Sequence, residues 1–200
     1  MSKQDGINEA IKLAISNLEN KDISMACKRL GFASPEGHKL KLRMFDNNMI
    51  FDLNDFSLTL NSGKPAKSAD LLLLLHYFQS DFNISETGSL ISFRDLPGGQ
   101  FYLNPFLSRT VNPLIKHIDN DLDTLKKHLS KFVWSEVNMG DFAAKILAFG
   151  NLYITIVYQY GDEEFPASFD VFFDKCIKRA FSETEDAVVM ASRICIGLLF

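Results

Sequence analysis

The sequence predicts an α+β fold in a single domain, and three observations carry that prediction. Apolar residues recur at helical spacing near both ends of the chain. Between residues 39 and 60 the apolar period changes from 3.6 to 2, the mark of half-buried strands. The order is helices, a run of strands, a helix, then mixed elements, which is not the regular alternation of a parallel α/β sheet. A mixed, mainly antiparallel sheet with an N-terminal meander, a buried central helix and packed N- and C-terminal helices is therefore expected.

The elements follow in order. Ile7, Ile11, Ile15 and Leu18 place one apolar stripe on a helix over 5–20. Asp22 is an N-cap for a second short helix, because its carboxylate accepts the orphan N–H groups of a first turn. Gly31 ends that helix, since glycine enters the left-handed region at low cost. Lys39, Lys41 and Arg43 alternate with Leu40, Leu42 and Met44. Met49, Phe51 and Leu53 follow a turn at 46–48, and Phe56, Leu58 and Leu60 follow a turn at 54–55, giving a three-strand meander. Ser68 is expected to cap a helix over 69–80 whose Leu71–Leu75 run is apolar on every side, so this helix is expected at the centre. Leu90–Arg94 reads as a strand, Pro97-Gly98-Gly99 as a turn, and Gln100–Leu103 as the returning strand. Helices over 105–118 and 121–132 come next, then strands over 141–147, 152–160 and 167–173. Ser182 and Glu185 have capping-box spacing before a last helix over 184–199. Leu198, Leu199 and Phe200 make its end apolar enough to be docked, or to form a homodimer contact.

Composition excludes several functions. The 200 residues carry 21 basic and 25 acidic side chains, a net charge of −4, so the basic footprint of a duplex-binding protein is missing. The stripe of Lys39, Lys41 and Arg43 reads as the solvated face of an edge strand, and no nucleic acid is expected as a partner. No apolar run approaches the length that spans a bilayer, and Met1–Gly6 carries no apolar leader, so the expected setting is the cytoplasm, away from a membrane. Cys27, Cys176 and Cys195 are an odd, widely spaced set without a C-x-x-C, so they are expected to be buried thiols and not a disulfide or cluster framework. His38, His76, His117 and His128 fall in no metal-binding spacing, and no metal is expected. His76 follows the leucine run and reads as a hydrogen-bonded core histidine.

Two segments have the residue types of a site. Gly98 and Gly99 can present backbone N–H groups to an anion, with Arg94 and Arg109 adding charge, although a tight turn explains the same glycines. Asp162, Glu163 and Glu164 are adjacent carboxylates, which repel unless they are solvated, paired or shared with a metal. Pairing with Arg94 is the structural reading of that loop. The rim of a binding pocket is the functional one, and acid–base catalysis with Arg94 holding an anionic substrate is the enzymatic alternative. In the binding reading the ligand contacts are Arg94, Asp95, Gly98, Gly99, Arg109, Asp162, Glu163 and Glu164. Phe93, Phe101, Phe165 and Phe169 supply an aromatic wall. Of the 18 Phe, 12 lie after residue 90, several of them beside these segments. A third alternative is a structural or protein-interaction module.

Several blocks also carry a resemblance: Leu72–Tyr77, Thr87-Gly88, Ile91–Gly99, Gly140-Asp141, Gly161–Pro166 and Thr184-Glu185-Asp186. In that order they resemble the uncharacterised family catalogued as domain of unknown function 3786, over roughly residues 65–200, with 1–35 as a helical extension. The resemblance implies an accessory or ligand-binding role in the metabolism of anaerobic bacteria and archaea, some relatives standing in settings linked to corrinoid metabolism. The aromatic, cationic pocket expected at Arg94 would suit a flat anionic cofactor such as a corrinoid or haem-like ring. Relatives have a His-Tyr-Leu-Pro-like run where this chain has Arg179-Ala180-Phe181-Ser182.

Overall fold

The N-terminal apolar stripe becomes α1 (Lys3–Ser16) in the computed structural model, which describes residues 3–19 and 21–200. Ala14 and Leu18 are the stripe's fully buried residues. Asp22 Oδ1 accepts from Met25 N at 3.0 Å and starts α2 (Ile23–Leu30). Gly31 ends it at φ 84, close against Asn151, so no side chain fits there. The meander is β1 (Lys39–Met44), β2 (Asn47–Asp52) and β3 (Leu58–Leu60). Its first turn is tighter than expected. Phe45, at φ 55, and Asp46 make the turn, while Asn47 and Asn48 already belong to β2.

The leucine run forms α3 (Ser68–Gln79), with Leu73, Leu74, Leu75, Tyr77 and Phe78 buried. Ser68 does not cap it. Ser68 is already inside the first turn, and its hydroxyl accepts from Gln4 Nε2 instead. After α3 come β4 (Leu90–Ser92) and a single 3-10 turn at Phe93–Asp95. The expected return strand over 100–103 is absent. Residues 98–102 stay in turns, with Phe101 N and Tyr102 N bonded back to Gly98 O, and the chain passes into α4 (Leu103–Arg109). The helix expected over 105–118 is two. Pro113 has no N–H for the Arg109 carbonyl, and the chain breaks at Thr110 before α5 (Val111–Ile118). Then follow α6 (Leu122–Leu129), β5 (Trp134–Glu136), β6 (Phe142–Phe149), β7 (Leu152–Gln159), β8 (Ser168–Asp174), α7 (Ile177–Ala180) and α8 (Thr184–Gly197). Trp134 thus starts a strand that its sequence did not announce. Its ring meets Phe142 edge-on at 6.0 Å.

The sheet has eight strands in the order β3-β2-β1-β6-β7-β8-β4, with β5 also paired to β6. Every pairing given for the described residues is antiparallel, so the sheet is not mixed. β1 pairs with β2 along its whole length and with β6 only at Met44, so the Lys39, Lys41 and Arg43 stripe is the outward face of a stretch whose other edge is largely unpaired among the described residues. The helical layer covers the opposite face, where Leu40, Leu42, Met44 and Phe51 are buried. Phe51 stacks on Phe78 of α3 at 5.5 Å, and Tyr77 meets Phe149 edge-on at 5.3 Å.

Two polar pairs fix α3 against α8. Asp70 accepts from Arg193 Nε and a terminal guanidinium nitrogen at 2.7 and 3.0 Å. His76 meets Asp186. The numbers rise along α3 as they fall along α8, so the helices run antiparallel. Each carboxylate lies in the first turn of its helix and His76 in a last turn, as the helix dipoles favour. The end of α8 is docked within the chain. His128 Nδ1 bonds Leu198 O at 2.7 Å, Lys131 Nζ donates to Gly197 O, and Leu198 is buried.

Candidate functional site

Of the four rings nominated around Arg94, Phe93 and Phe169 are buried and Phe101 and Phe165 are exposed. Phe93 turns inward and stacks on Phe106, centroids 4.1 Å apart and planes parallel. Phe169 packs on Tyr158 in the core. Phe101 and Phe165 are exposed, so the four rings form no common wall. Asp95 Oδ2 accepts from Ser92 N and Oγ, both at 2.8 Å, which ties the turn together and holds its carboxyl below the usual range. Gly98 sits at φ 70 with only the Tyr102 ring nearby. Gly99 lies so close to Phe93 O that an added Cβ would sit 2.0 Å from it. These glycines shape a turn.

Asp162 ties the acidic loop to itself. Asp162 Oδ1 accepts from Glu164 N and Phe165 N, each at 2.8 Å, and Asp162 N donates to Phe165 O. Those backbone bonds hold the Asp162 carboxyl below its ordinary value. Asp162, Glu163 and Glu164 are all exposed. The expected pairing with Arg94 is not made by any described residue. Arg109 pairs instead with Glu185 at 2.8 Å, in the open. That bond takes up the Glu185 carboxylate, and the capping box expected from Ser182 and Glu185 does not form.

A different constellation is brought together across 110 positions. His76 Nδ1 lies 2.9 and 3.0 Å from the two Asp186 oxygens. This bond raises His76 above the ordinary imidazole value, against the opposing effect of burial. Burial raises Asp186 above the usual carboxylate range, partly offset by the histidine. Both shifts favour a pair that keeps the bridging proton. With Nδ1 taken by the carboxylate, Nε2 has no hydrogen-bond partner among the described residues.

His76 lines a cleft of about 600 Å3 between α1, the end of α3 and the α7–α8 turn. Ala10, Leu13 and Ala14 of α1 and Phe82 and Phe181 form its apolar parts. Asn17, Gln79, Lys178, Arg179 and Glu183 form its polar parts. The Arg179 guanidinium lies over the Phe82 ring, 5.9 Å from its centroid. Asp81 at the rim is held by Lys21 at 2.7 Å. Gln79 Nε2 is buried and has no acceptor, while Gln79 Oε1 accepts from Asn17.

Other chemistry is quieter. Burial pushes the thiol of Cys27 up to about 11 and those of Cys176 and Cys195 up to about 12, so none is a poised nucleophile. Burial works against ionised Asp174. Bonds from Cys176 N, Thr87 N and Oγ1, and Gly88 N outweigh it and hold the carboxyl low, pinning the Thr87-Gly88 segment to β8. Among the described residues no group of three or more His, Cys, Asp or Glu could hold a metal ion. No described helix is long and apolar enough to cross a membrane.

Sequence reasoning treated His76 as a core histidine and did not join it to Asp186. Both stood in the family-like blocks, and that was the available signal. The family described as "Domain of unknown function (DUF3786)" matches residues 22–196, and the chain belongs to it. The match includes α2 and the meander and leaves α1 outside. No curated protein and no solved structure matches the chain.

Proposed function

We propose that this DUF3786 chain binds a small molecule in the cleft beside His76, with the Nε2 edge of the imidazole as its polar contact. The observation that carries the reading is the His76–Asp186 bond at the wall of that cleft. A carboxylate on Nδ1 fixes the ring and its tautomer and leaves Nε2 for a ligand. The volume falls within the range of small-molecule sites, roughly 300–1,000 Å3. In the Arg94 and Asp162 segments the carboxylates of Asp95 and Asp162 are taken by their own backbone neighbours.

The same pair has the chemistry to meet a corrinoid or haem-like cofactor. A histidine that ligates a metal usually gives its other nitrogen to a carboxylate. His76 would therefore be the residue facing the metal of a haem-like or corrinoid ring, and Asp186 the one orienting it. An enzymatic reading rests on the same pair, since an imidazole held by a carboxylate can take or give a proton at Nε2. It replaces the Asp162, Glu163 and Glu164 alternative, whose exposed groups lack the burial that tunes a catalytic acid.

The test uses full-length protein purified from cell extract without added ligand. Native mass spectrometry of wild type and His76→Ala is followed by melting curves with haem, cobalamin and a panel of anionic metabolites. The expected result is a retained compound, or a raised melting temperature, that His76→Ala loses. Equal behaviour of both proteins towards every compound would contradict the reading.

A further inference from the structure

We infer that the ligand of the His76 cleft is an amphiphilic anion: a carboxylate or phosphate held by Arg179, Lys178 and His76 Nε2, joined to an apolar body lying between Leu13 and Phe82. The inference rests on the proposal that this cleft is the ligand site, and adds the class of molecule.

The charges argue for the anion. Lys178 and Arg179 line the cleft side by side, and neither has a carboxylate within ion-pair distance among the described residues. Arg179 is stacked on Phe82, which holds the guanidinium in place without consuming its N–H donors. The carboxylates that could neutralise these cations are mostly engaged. Asp81 is bonded to Lys21, Asp186 to His76, and Asp95, which feels the charge of Lys178, to Ser92, which leaves Glu183. One neutral polar group has the same bias. Gln79 Nε2 is a buried donor without an acceptor. A wall rich in unused N–H donors calls for oxygen acceptors, and a guanidinium suits the two parallel oxygens of a carboxylate or phosphate.

The apolar part argues against a bare inorganic anion. Leu13 is 64% exposed and Phe82 55% exposed, and both line the cleft beside the cations. An alkyl or aryl body there would cover apolar surface that water now touches, which favours binding in proportion to the area covered. Charge at one wall and apolar surface at the other select a molecule with both parts.

The experiment titrates 15N-labelled full-length protein with octanoate, monooctyl phosphate, octan-1-ol and inorganic phosphate, following the His76 ring signals. Octanoate or monooctyl phosphate is expected to bind at least tenfold more tightly than octan-1-ol and than inorganic phosphate. The stronger of the two anions identifies the headgroup. Arg179→Ala is expected to weaken that anion at least tenfold with an unchanged melting temperature, and Lys178→Ala to weaken it less. Octan-1-ol binding as tightly as both anions would overturn the inference and leave the cleft a ligand site. So would an unchanged affinity in Arg179→Ala. If no probe moves His76 while a cell-derived compound does, the anion inference alone fails. If neither does, both proposals fail.

Discussion

The turn at Arg94 with its neighbouring acidic loop, and the cleft at His76, are made of the same kinds of side chain, arranged in opposite ways. In the first region the carboxylates of Asp95 and Asp162 face solvent and bond to their own backbone neighbours. Their partners lie two or three residues away, so the bonds shape local turns and leave nothing for a ligand to satisfy. In the second, the partners are 110 residues apart on two antiparallel helices. That bond forms only when the whole helical layer is assembled, and it leaves a nitrogen, a guanidinium and a buried amide N–H without protein acceptors. Polar residues that are close in sequence stabilise a loop. Polar residues that the fold gathers over a distance, and does not satisfy, are left open to other contacts.

The largest effect should come from the pair that holds the cleft's two helices in register. Asp70→Ala leaves the Arg193 guanidinium largely buried without its bidentate partner, and breaking such a pair costs about 3–5 kcal/mol. Chemical denaturation measures it. A loss below about 1 kcal/mol would show that α3 and α8 are held by apolar packing alone.

Asp186→Asn comes next, with an expected loss of about 1.5–3 kcal/mol, the range for hydrogen bonds to charged groups. Its pH dependence is the sharper observation. The folded-state value of His76 is raised, so its contribution is complete below the unfolded value of about 6.5 and is lost as pH rises through the folded value. At acid pH the raised carboxyl of Asp186 takes up a proton and weakens the pair again. The gap between wild type and Asp186→Asn should therefore be widest near pH 6 and narrow in both directions. A gap that widens steadily towards alkaline pH would contradict the assignment of the shift to this bond.

In the other region the glycines should matter for stability and the charges should not. Gly99→Ala places a Cβ against the Phe93 and Leu96 carbonyls and should cost about 1–3 kcal/mol. Gly98→Val makes ordinary contact with the Tyr102 ring but strains a left-handed residue, for about 1–2 kcal/mol. Arg94→Ala and Glu163→Gln should leave both melting temperature and ligand binding unchanged. A loss of ligand binding in either would move the site back to this end of the sheet.

Much of the architecture was legible because it is written in local periods. The β1–β2–β3 meander, Asp22 and Gly31 at the ends of α2, and the buried leucine run of α3 follow from spacing and from single-residue chemistry. The errors share a cause as well. Gln100–Leu103 has a strand's composition, yet the Gly98 carbonyl takes its N–H groups into turns. Ser68 and Ser182 have capping chemistry, but Lys67 and Glu183 take the cap positions and neither makes a side-chain capping bond. The candidate site was the least legible part. His76 looked like a core residue because its own helix is apolar. Only the packing of α8 on α3 shows that its partner is Asp186 and that it lines a cleft.

The account depends on His76 being held by Asp186 with its proton-binding edge towards a ligand. The most direct measurement is an NMR titration of the His76 ring in wild type and in Asp186→Asn. The account predicts a wild-type value above that of an ordinary imidazole, which falls when the carboxylate is removed. A His76 that titrates at or below the ordinary value in both proteins would contradict it.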